Sequence, residues 1–264
     1  MRYEHVTEGI FLERPNRFIA YVRVTGRTVT AHVKNTGRCR ELLIPGVRVI
    51  LQYHPGGLEA GRKTEYSLIA VYKGEILVNM DSQAPNQAAM EWLMSGGFTK
   101  ETNLPVTEVR REVTYGNSRF DLSFLIGEPA RGLLEDSAGI PVGRPLEMTG
   151  EAAEESDLGC RAYMEVKGVT LGLDHVAKFP DAPTERGVKH IKELKAAAQN
   201  GMKAYILFVI QMKGITEFTP NMETHPAFGE ALKEAAEAGV TVLAYDCRVK
   251  QDELMIDRKV PVKL

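Results

Sequence analysis

The run Tyr163-Met164-Glu165-Val166-Lys167-Gly168-Val169-Thr170 is apolar and β-branched enough to read as a buried strand. Side chains alternate along a strand, so Glu165 and Lys167 point to the same side. A carboxylate and an ammonium are costly to bury without a partner or a task. Upstream, Ser118-Arg119-Phe120-Asp121-Leu122-Ser123-Phe124-Leu125 sets a lone Asp121 in a second strand-like run. Two carboxylates on adjacent strands make a hard-oxygen site suited to Mg²⁺ or Mn²⁺. Such an ion polarises a phosphoryl oxygen and acidifies water. A lysine beside it orients that water and offsets charge developing on phosphorus. Asp121 and Glu165 are therefore candidate metal ligands, and Lys167 the candidate catalytic cation of a hydrolase. The alternative is a Glu165–Lys167 salt bridge on a half-exposed face, and spacing alone does not separate the two.

Further candidates lie on a helix expected over 184–199. Arg186, His190 and Glu193 stand at i, i+4 and i+7 and share one face, apart from the apolar stripe of Val188, Ile191, Leu194 and Ala198. Arg186 suits a phosphate. His190 is a candidate catalytic residue, against the reading that it is an ordinary surface or packed histidine. In the N-terminal part, Asn35-Thr36-Gly37-Arg38 is a turn with amides, a hydroxyl and a cation, again suited to a phosphate. A plain hairpin turn followed by a helical turn fits it as well. Asn35, Thr36, Arg38, Arg17, Arg119 and Arg186 together form the candidate phosphate-contacting set.

These residues need elements to position them. Residues 6–80 hold several short runs rich in β-branched and aromatic residues, such as 18–24, 28–33, 47–53 and 66–72, separated by Gly, Pro and charged turns. That spacing suggests a small barrel, with a five-stranded OB-like barrel the best match. Residues 85–97 change to a helical period with a glycine stop, which places a domain boundary near 81–85. Residues 105–126 read as a hairpin that returns with Asp121. After the 161–171 strand come a Pro-rich loop, the helix over 184–199, an apolar strand at 204–211, a helix at about 226–238 and a strand at 240–246. Strand, helix, strand in this order argues an α/β crossover with parallel strands. Residues 253–262 suit edge strands. Trp92 and Tyr115 read as packing residues.

Bulk properties narrow the class. The chain has 264 residues and a formal net charge of −2. Residues 1–81 carry 12 Lys/Arg against 8 Asp/Glu, which fits a polyanion ligand but equally a solvated basic face. Residues 127–160 are irregular and acidic, and read as an insertion that points away from a phosphate backbone or moves. Three widely spaced cysteines form no CxxC pair, which argues against a zinc knuckle or a disulfide framework. The first residues lack a signal-peptide core and no apolar run approaches a membrane span, so a cytoplasmic, non-membrane protein is expected.

Several motifs jointly resemble the sugar fermentation stimulation protein family. They are Lys34-Asn35-Thr36-Gly37-Arg38, Tyr115-Gly116-Asn117-Ser118-Arg119-Phe120-Asp121, Met164-Glu165-Val166-Lys167-Gly168-Val169-Thr170-Leu171, Phe179-Pro180-Asp181-Ala182-Pro183-Thr184-Glu185-Arg186-Gly187 and Lys189-His190-Ile191-Lys192-Glu193-Leu194. The resemblance spans nearly the whole chain. It implies an OB-like barrel over 1–81 and, over 82–264, a restriction-endonuclease-like α/β domain of the PD-(D/E)xK kind with a mixed sheet. It also implies DNA binding linked to sugar-utilisation genes, with Asp121 and Glu165 as ligands and Lys167 as catalytic cation. Two features depart from the family's pattern: Gly168 stands where Ser is more usual, and 127–160 is long. The expected function is thus DNA binding with a Mg²⁺- or Mn²⁺-dependent nuclease site. A non-catalytic DNA-binding regulator on a nuclease-like scaffold is the alternative, and an enzyme of small phosphorylated or nucleotide substrates a third class. Strand form is left open, and a homodimer is admitted.

Overall fold

The structure, a computed structural model, describes residues 1–35, 37, 39–116, 118–127 and 159–264. Two expected phosphate contacts, Thr36 and Arg38, lie outside the described residues, as does nearly all of the acidic 127–160 segment.

Five strands, β1 (Val6–Asn16), β2 (Ile19–Val24), β3 (Arg27–Val33), β4 (Arg48–Tyr53) and β5 (Tyr66–Lys73), close into a barrel. β1 lies between β2 and β4, β4 pairs with β5, and β5 returns parallel to β3, so the sheet has no free seam there. Phe11, Val22, Leu51, Leu68 and Val71 fill the interior. The β2–β3 hairpin turns through Thr25 and Gly26, both at positive φ, the backbone that a two-residue turn requires. A short β6 (Ile76–Asn79) extends the sheet beyond β5.

The remainder comprises α1 (Ala84–Met94), α2 (Gly97–Thr102), β7 (Val106–Tyr115), β8 (Ser118–Ile126), β9 (Cys160–Val169), β10 (Gly172–Leu173), β11 (Val176–Phe179), α3 (Glu185–Gln199), β12 (Lys203–Ile210), β13 (Glu217–Pro220), α4 (Pro226–Glu237), β14 (Thr241–Lys250) and β15 (Glu253–Lys259). A six-stranded sheet runs β15-β14-β12-β9-β8-β7. β9, β12 and β14 are parallel, and β7, β8 and β15 add antiparallel flanks. Every residue of β12 after Lys203 is buried, because helices cover both faces. Ile191, Leu194 and Phe228 of α3 and α4 pack over Ile206 and Phe208 on one face. Trp92, Leu93 and Phe98 of α1 and α2 pack over Leu122, Phe124 and Leu207 on the other. This is the mixed α/β sheet that the strand-helix-strand order implies.

Two features lie beyond the sequence expectation. Helix α2 has six residues between a left-handed Gly96 and a left-handed Asn103, too short to impose a period. A small sheet, β10-β11-β13, depends on a parallel pairing of Val176–Phe179 with Glu217–Pro220, which no local pattern announces.

Buried polar groups tie the barrel to the second sheet. Gln211, just past β12, donates to Asn79 Oδ1 at 2.8 Å and to the Asp81 carbonyl at 3.0 Å. Asn79 Nδ2 donates to the Tyr3 hydroxyl at 2.9 Å, and that hydroxyl donates to Asp81 Oδ2 at 3.2 Å. Lys34 Nζ completes the set on Asp81 Oδ2 at 2.5 Å. No helix among the described residues is long and apolar enough to cross a membrane.

Candidate metal and phosphodiester site

The site forms where two neighbouring strands part. The β8–β9 ladder runs from Ile126↔Cys160 to Leu122↔Met164 and stops there. One residue further on, the Asp121 carboxylate takes the place of the missing carbonyl: Oδ2 accepts the Val166 N–H at 2.8 Å. Its other oxygen, Oδ1, accepts from Asn86 Nδ2 at 2.8 Å, so α1 and β9 together aim the side chain. Burial, and then the charge of Glu165, push the Asp121 carboxyl above its ordinary range. The Glu165 charge thus reaches the Asp121 carboxyl across the gap between the two strands.

Glu165 is central to β9 and its side chain is 2% exposed. Its Oε1 accepts from Lys167 Nζ at 2.6 Å and from His190 Nδ1. Burial raises the Glu165 carboxyl, but hydrogen bonds from His190 and Lys167 and the Lys167 charge outweigh burial and hold it below its usual range. Oε2 is buried and has no hydrogen-bond partner among the described residues. The salt bridge weighed as the alternative exists, but on a buried carboxylate and not on a half-exposed face.

Helix α3 supplies the opposite wall. Thr184 caps it, its hydroxyl accepting the Gly187 N–H at 3.0 Å. Val188, Ile191 and Leu194 are buried, which turns Arg186, Lys189, His190 and Glu193 toward the cleft. Arg186 Nε donates to His190 Nε2 at 3.3 Å while Nδ1 faces Glu165. This arrangement requires the imidazole to carry its hydrogen on Nδ1 and to accept on Nε2. The cleft measures about 400 Å³ and is lined by Glu112, Arg119, Phe120, Asp121, Arg186, Lys189, His190 and Glu193.

Asp121, Glu165, Lys167, His190, Arg119 and Arg186 thus gather at one place. Arg119 is exposed and paired with Glu112 at 2.5 Å. Arg17 and Asn35 are elsewhere, on the barrel. The Asn35 side chain accepts the Gly37 N–H at 2.8 Å, a turn that braces itself. Arg14 holds that turn, donating to the carbonyls of Asn35 at 2.8 Å and Gly37 at 2.9 Å. Arg14 and Asn86 were not expected: Asn86 reads in sequence only as part of a helix start, and nothing local marks Arg14. Gly168 also gains a reason. A Cβ there would lie 2.5 Å from Gln211 Oε1 and 2.7 Å from Pro85 Cγ, so the backbone beside Lys167 has no room for one.

The donor set fits a hard divalent cation: two carboxylates on neighbouring strands, one with a buried oxygen that has no partner among the described residues. Among the described residues no group of three or more His, Cys, Asp and Glu forms a ready-made cage.

Comparison with known proteins agrees with this architecture. The profile of the SfsA N-terminal OB domain matches residues 12–80, and that of the sugar fermentation stimulation protein RE domain matches residues 152–253. The chain is 46% identical over 267 residues to the sugar fermentation stimulation protein homolog of Desulfitobacterium hafniense (strain Y51), covering 100% of this chain and 99% of that one. It is 46% identical over 262 residues to the homolog of Alkaliphilus oremlandii (strain OhILAs), covering 99% and 98%. Among solved structures it resembles SfsA of Pyrococcus furiosus, determined in complex with Ca²⁺, with 27% identity, a TM-score of 0.77 and coverage of 100% and 98%. The chain belongs to the sugar fermentation stimulation protein family.

Proposed function

We propose that this protein binds DNA and hydrolyses phosphodiester bonds with a divalent cation, Mg²⁺ or Mn²⁺, held by Asp121 and Glu165. The observation that carries the reading is Glu165: a buried carboxylate, held below its usual range, with one oxygen that has no partner among the described residues, beside a second carboxylate. The relative from Pyrococcus furiosus, whose structure is in complex with Ca²⁺, supports a divalent ion of hard-oxygen preference. When bound, the cation supplies Lewis-acid polarisation of a phosphoryl oxygen.

The chain's own residues do the rest. Lys167 orients the attacking water and offsets negative charge developing on phosphorus. His190 buttresses Glu165 and fixes its orientation. Arg186, Arg119 and Lys189 draw the phosphate backbone into the cleft. The barrel, residues 1–81, presents the nucleic acid and residues 82–264 act on it, in the cytoplasm. Arg17, Asn35, Thr36 and Arg38 serve on the barrel side.

One observation favours the second reading, a non-catalytic DNA-binding regulator of sugar-utilisation genes. Glu165 Oε1 is already satisfied by Lys167 and His190, as a purely structural ion pair would be. Incubation with Mn²⁺ and single- or double-stranded DNA separates them. Cleavage that disappears in Glu165→Gln and Lys167→Ala supports the nuclease. DNA binding without cleavage in Mg²⁺, Mn²⁺ or Ca²⁺, unchanged in those variants, rejects it.

A further inference from the structure

The barrel and the second sheet enclose a pocket of about 340 Å³ that shares no lining residue with the carboxylate cleft. Asn35 and Ser82 reach it from the barrel and its exit, and Gly168 and Gln211 from β9 and the end of β12. Lys178 and Asp181 reach it from β11 and the loop that follows. Leu171 and Pro183 add apolar wall. Its volume stands at the lower end of the roughly 300–1,000 Å³ typical of small-molecule sites.

Gln211 is 1% exposed, and its amide is held in one orientation. Nε2 donates to Asn79 Oδ1 at 2.8 Å and to the Asp81 carbonyl at 3.0 Å. Asn79 is fixed in turn, because its Oδ1 also accepts the Asp81 N–H at 3.1 Å. Gln211 Oε1 therefore faces the notch beside Gly168, 2.5 Å from the point that a Cβ would occupy. It has no hydrogen-bond donor among the described residues. A side chain at 168 would cover this oxygen, and glycine leaves it bare. A buried acceptor without a donor is costly, so the pocket favours an occupant that donates there.

The charges around it narrow the occupant. Lys178 and Asp181 line the same pocket, yet among the described residues neither makes an ion pair with the other or with a third group. Asp181 faces inward, its Oδ2 2.9 Å from where a Gly37 Cβ would be. Burial and then the Asp181 charge push the neighbouring Cys39 thiol up to about 12. Asn35 Oδ1 is engaged by the Gly37 N–H at 2.8 Å, which leaves Nδ2 as a donor. One cation, one carboxylate, one neutral donor and one fixed acceptor select a molecule that carries both an ammonium and a carboxylate. A pure anion would be repelled by Asp181 and leave the Gln211 oxygen without a hydrogen. A pure cation would be repelled by Lys178.

We propose that this pocket binds a free amino acid, its carboxylate held by Lys178 and Asn35 and its ammonium by Asp181 and Gln211 Oε1. The occupant bridges the barrel, β9 and the loop that ends at the Thr184 cap, and so stabilises the junction of the two domains. The site stands independently of the chemistry in the carboxylate cleft.

Thermal unfolding of the full chain with the common L-amino acids, added one at a time, identifies the occupant by a rise in melting temperature. Calorimetry then compares that amino acid with the amine lacking its carboxylate and the acid lacking its ammonium. The intact amino acid binds tighter than either by about ten-fold or more. This comparison uses the native protein and needs no variant. Asp181→Asn and Lys178→Met lie outside the buried Asp81 cluster, and their own melting curves verify folding. Each weakens the amino acid by about ten-fold or more. Asp181→Asn narrows the gap to the acid, and Lys178→Met narrows the gap to the amine. The proposal is overturned if no amino acid raises the melting temperature, or if the acid or the amine binds as tightly as the intact molecule. Affinity unchanged in either variant overturns it as well.

Discussion

Asp121 is aimed by two donors from different elements, Asn86 on α1 and the Val166 N–H on β9. In the proposed role of Asp121 as a metal ligand, groups that orient it typically change affinity by about 10–100-fold when removed. Asn86→Ala is therefore expected to weaken Mn²⁺ binding by about ten-fold in titration calorimetry, with little change in fold; an unaltered affinity would make Asn86 a packing residue only. Gly168 works by absence. Gly168→Ser must displace Gln211 and press on Pro85, and overpacking of this kind costs about 1–3 kcal/mol. Urea denaturation of the variant measures it, and a midpoint equal to the native one would show that α1 can retreat. At this scale the sequence was informative about residue type and uninformative about partners. Glu165, Lys167 and Asp121 announced themselves as charges in apolar runs. Asn86 did not, because an amide near a helix start has many ordinary uses.

Among the elements, α3 matters most to the cleft, since it carries Arg186, Lys189 and His190. Its Thr184 cap satisfies one otherwise orphaned N–H. Thr184→Ala is expected to cost about 1 kcal/mol and to lower any cleavage rate as the first turn frays; a native melting temperature with reduced rate would instead mean that Thr184 touches substrate. On the barrel, burial and then the charge of Arg62 push His32 and His54 below the ordinary histidine value. The unfolded chain takes up those protons first as pH falls, so stability declines with acidification through the window below about 6.5. NMR titration is expected to find both imidazoles depressed and both shifted upward in Arg62→Ala. Unmoved titrations in that variant would remove Arg62 as their electrostatic neighbour. Element type was readable from period: α3, α4, β12 and the β7–β8 hairpin follow their patterns. The six-residue α2 and the β10-β11-β13 sheet were not, because one spans fewer than two helical turns and the other is held by non-local pairing.

The whole molecule is joined through a buried polar cluster. Asp81 is fully buried and collects Lys34, Tyr3 and the Gln83 N–H, while Gln211 reaches Asn79 and the Asp81 carbonyl from beyond β12. Removing one member of a buried ion pair typically costs about 3–5 kcal/mol. Asp81→Ala is expected to lose stability on that scale. Barrel and sheet should unfold in separate steps, visible as two transitions by denaturant. A single transition at the native midpoint would show that apolar packing alone unites them. Arg2 adds a link from the other end of the chain, pairing with Glu253 at 3.2 Å. Such coupling matters for the proposed function, in which the barrel presents DNA to the cleft.

Residue type and spacing sufficed for a barrel followed by an α/β sheet, and they singled out Asp121, Glu165, Lys167, His190 and Arg186, which the fold brings to one place. Alternation and helical period are local properties, and a charge in an apolar run stands out without any fold. Only the folded chain decides what those residues meet. The parting of β8 from β9 turns Asp121 onto Val166 and Asn86. The seating of α3 brings His190 onto Glu165 and leaves one of its oxygens without a partner among the described residues. Both depend on contacts between residues distant in sequence, for which a linear pattern holds no record.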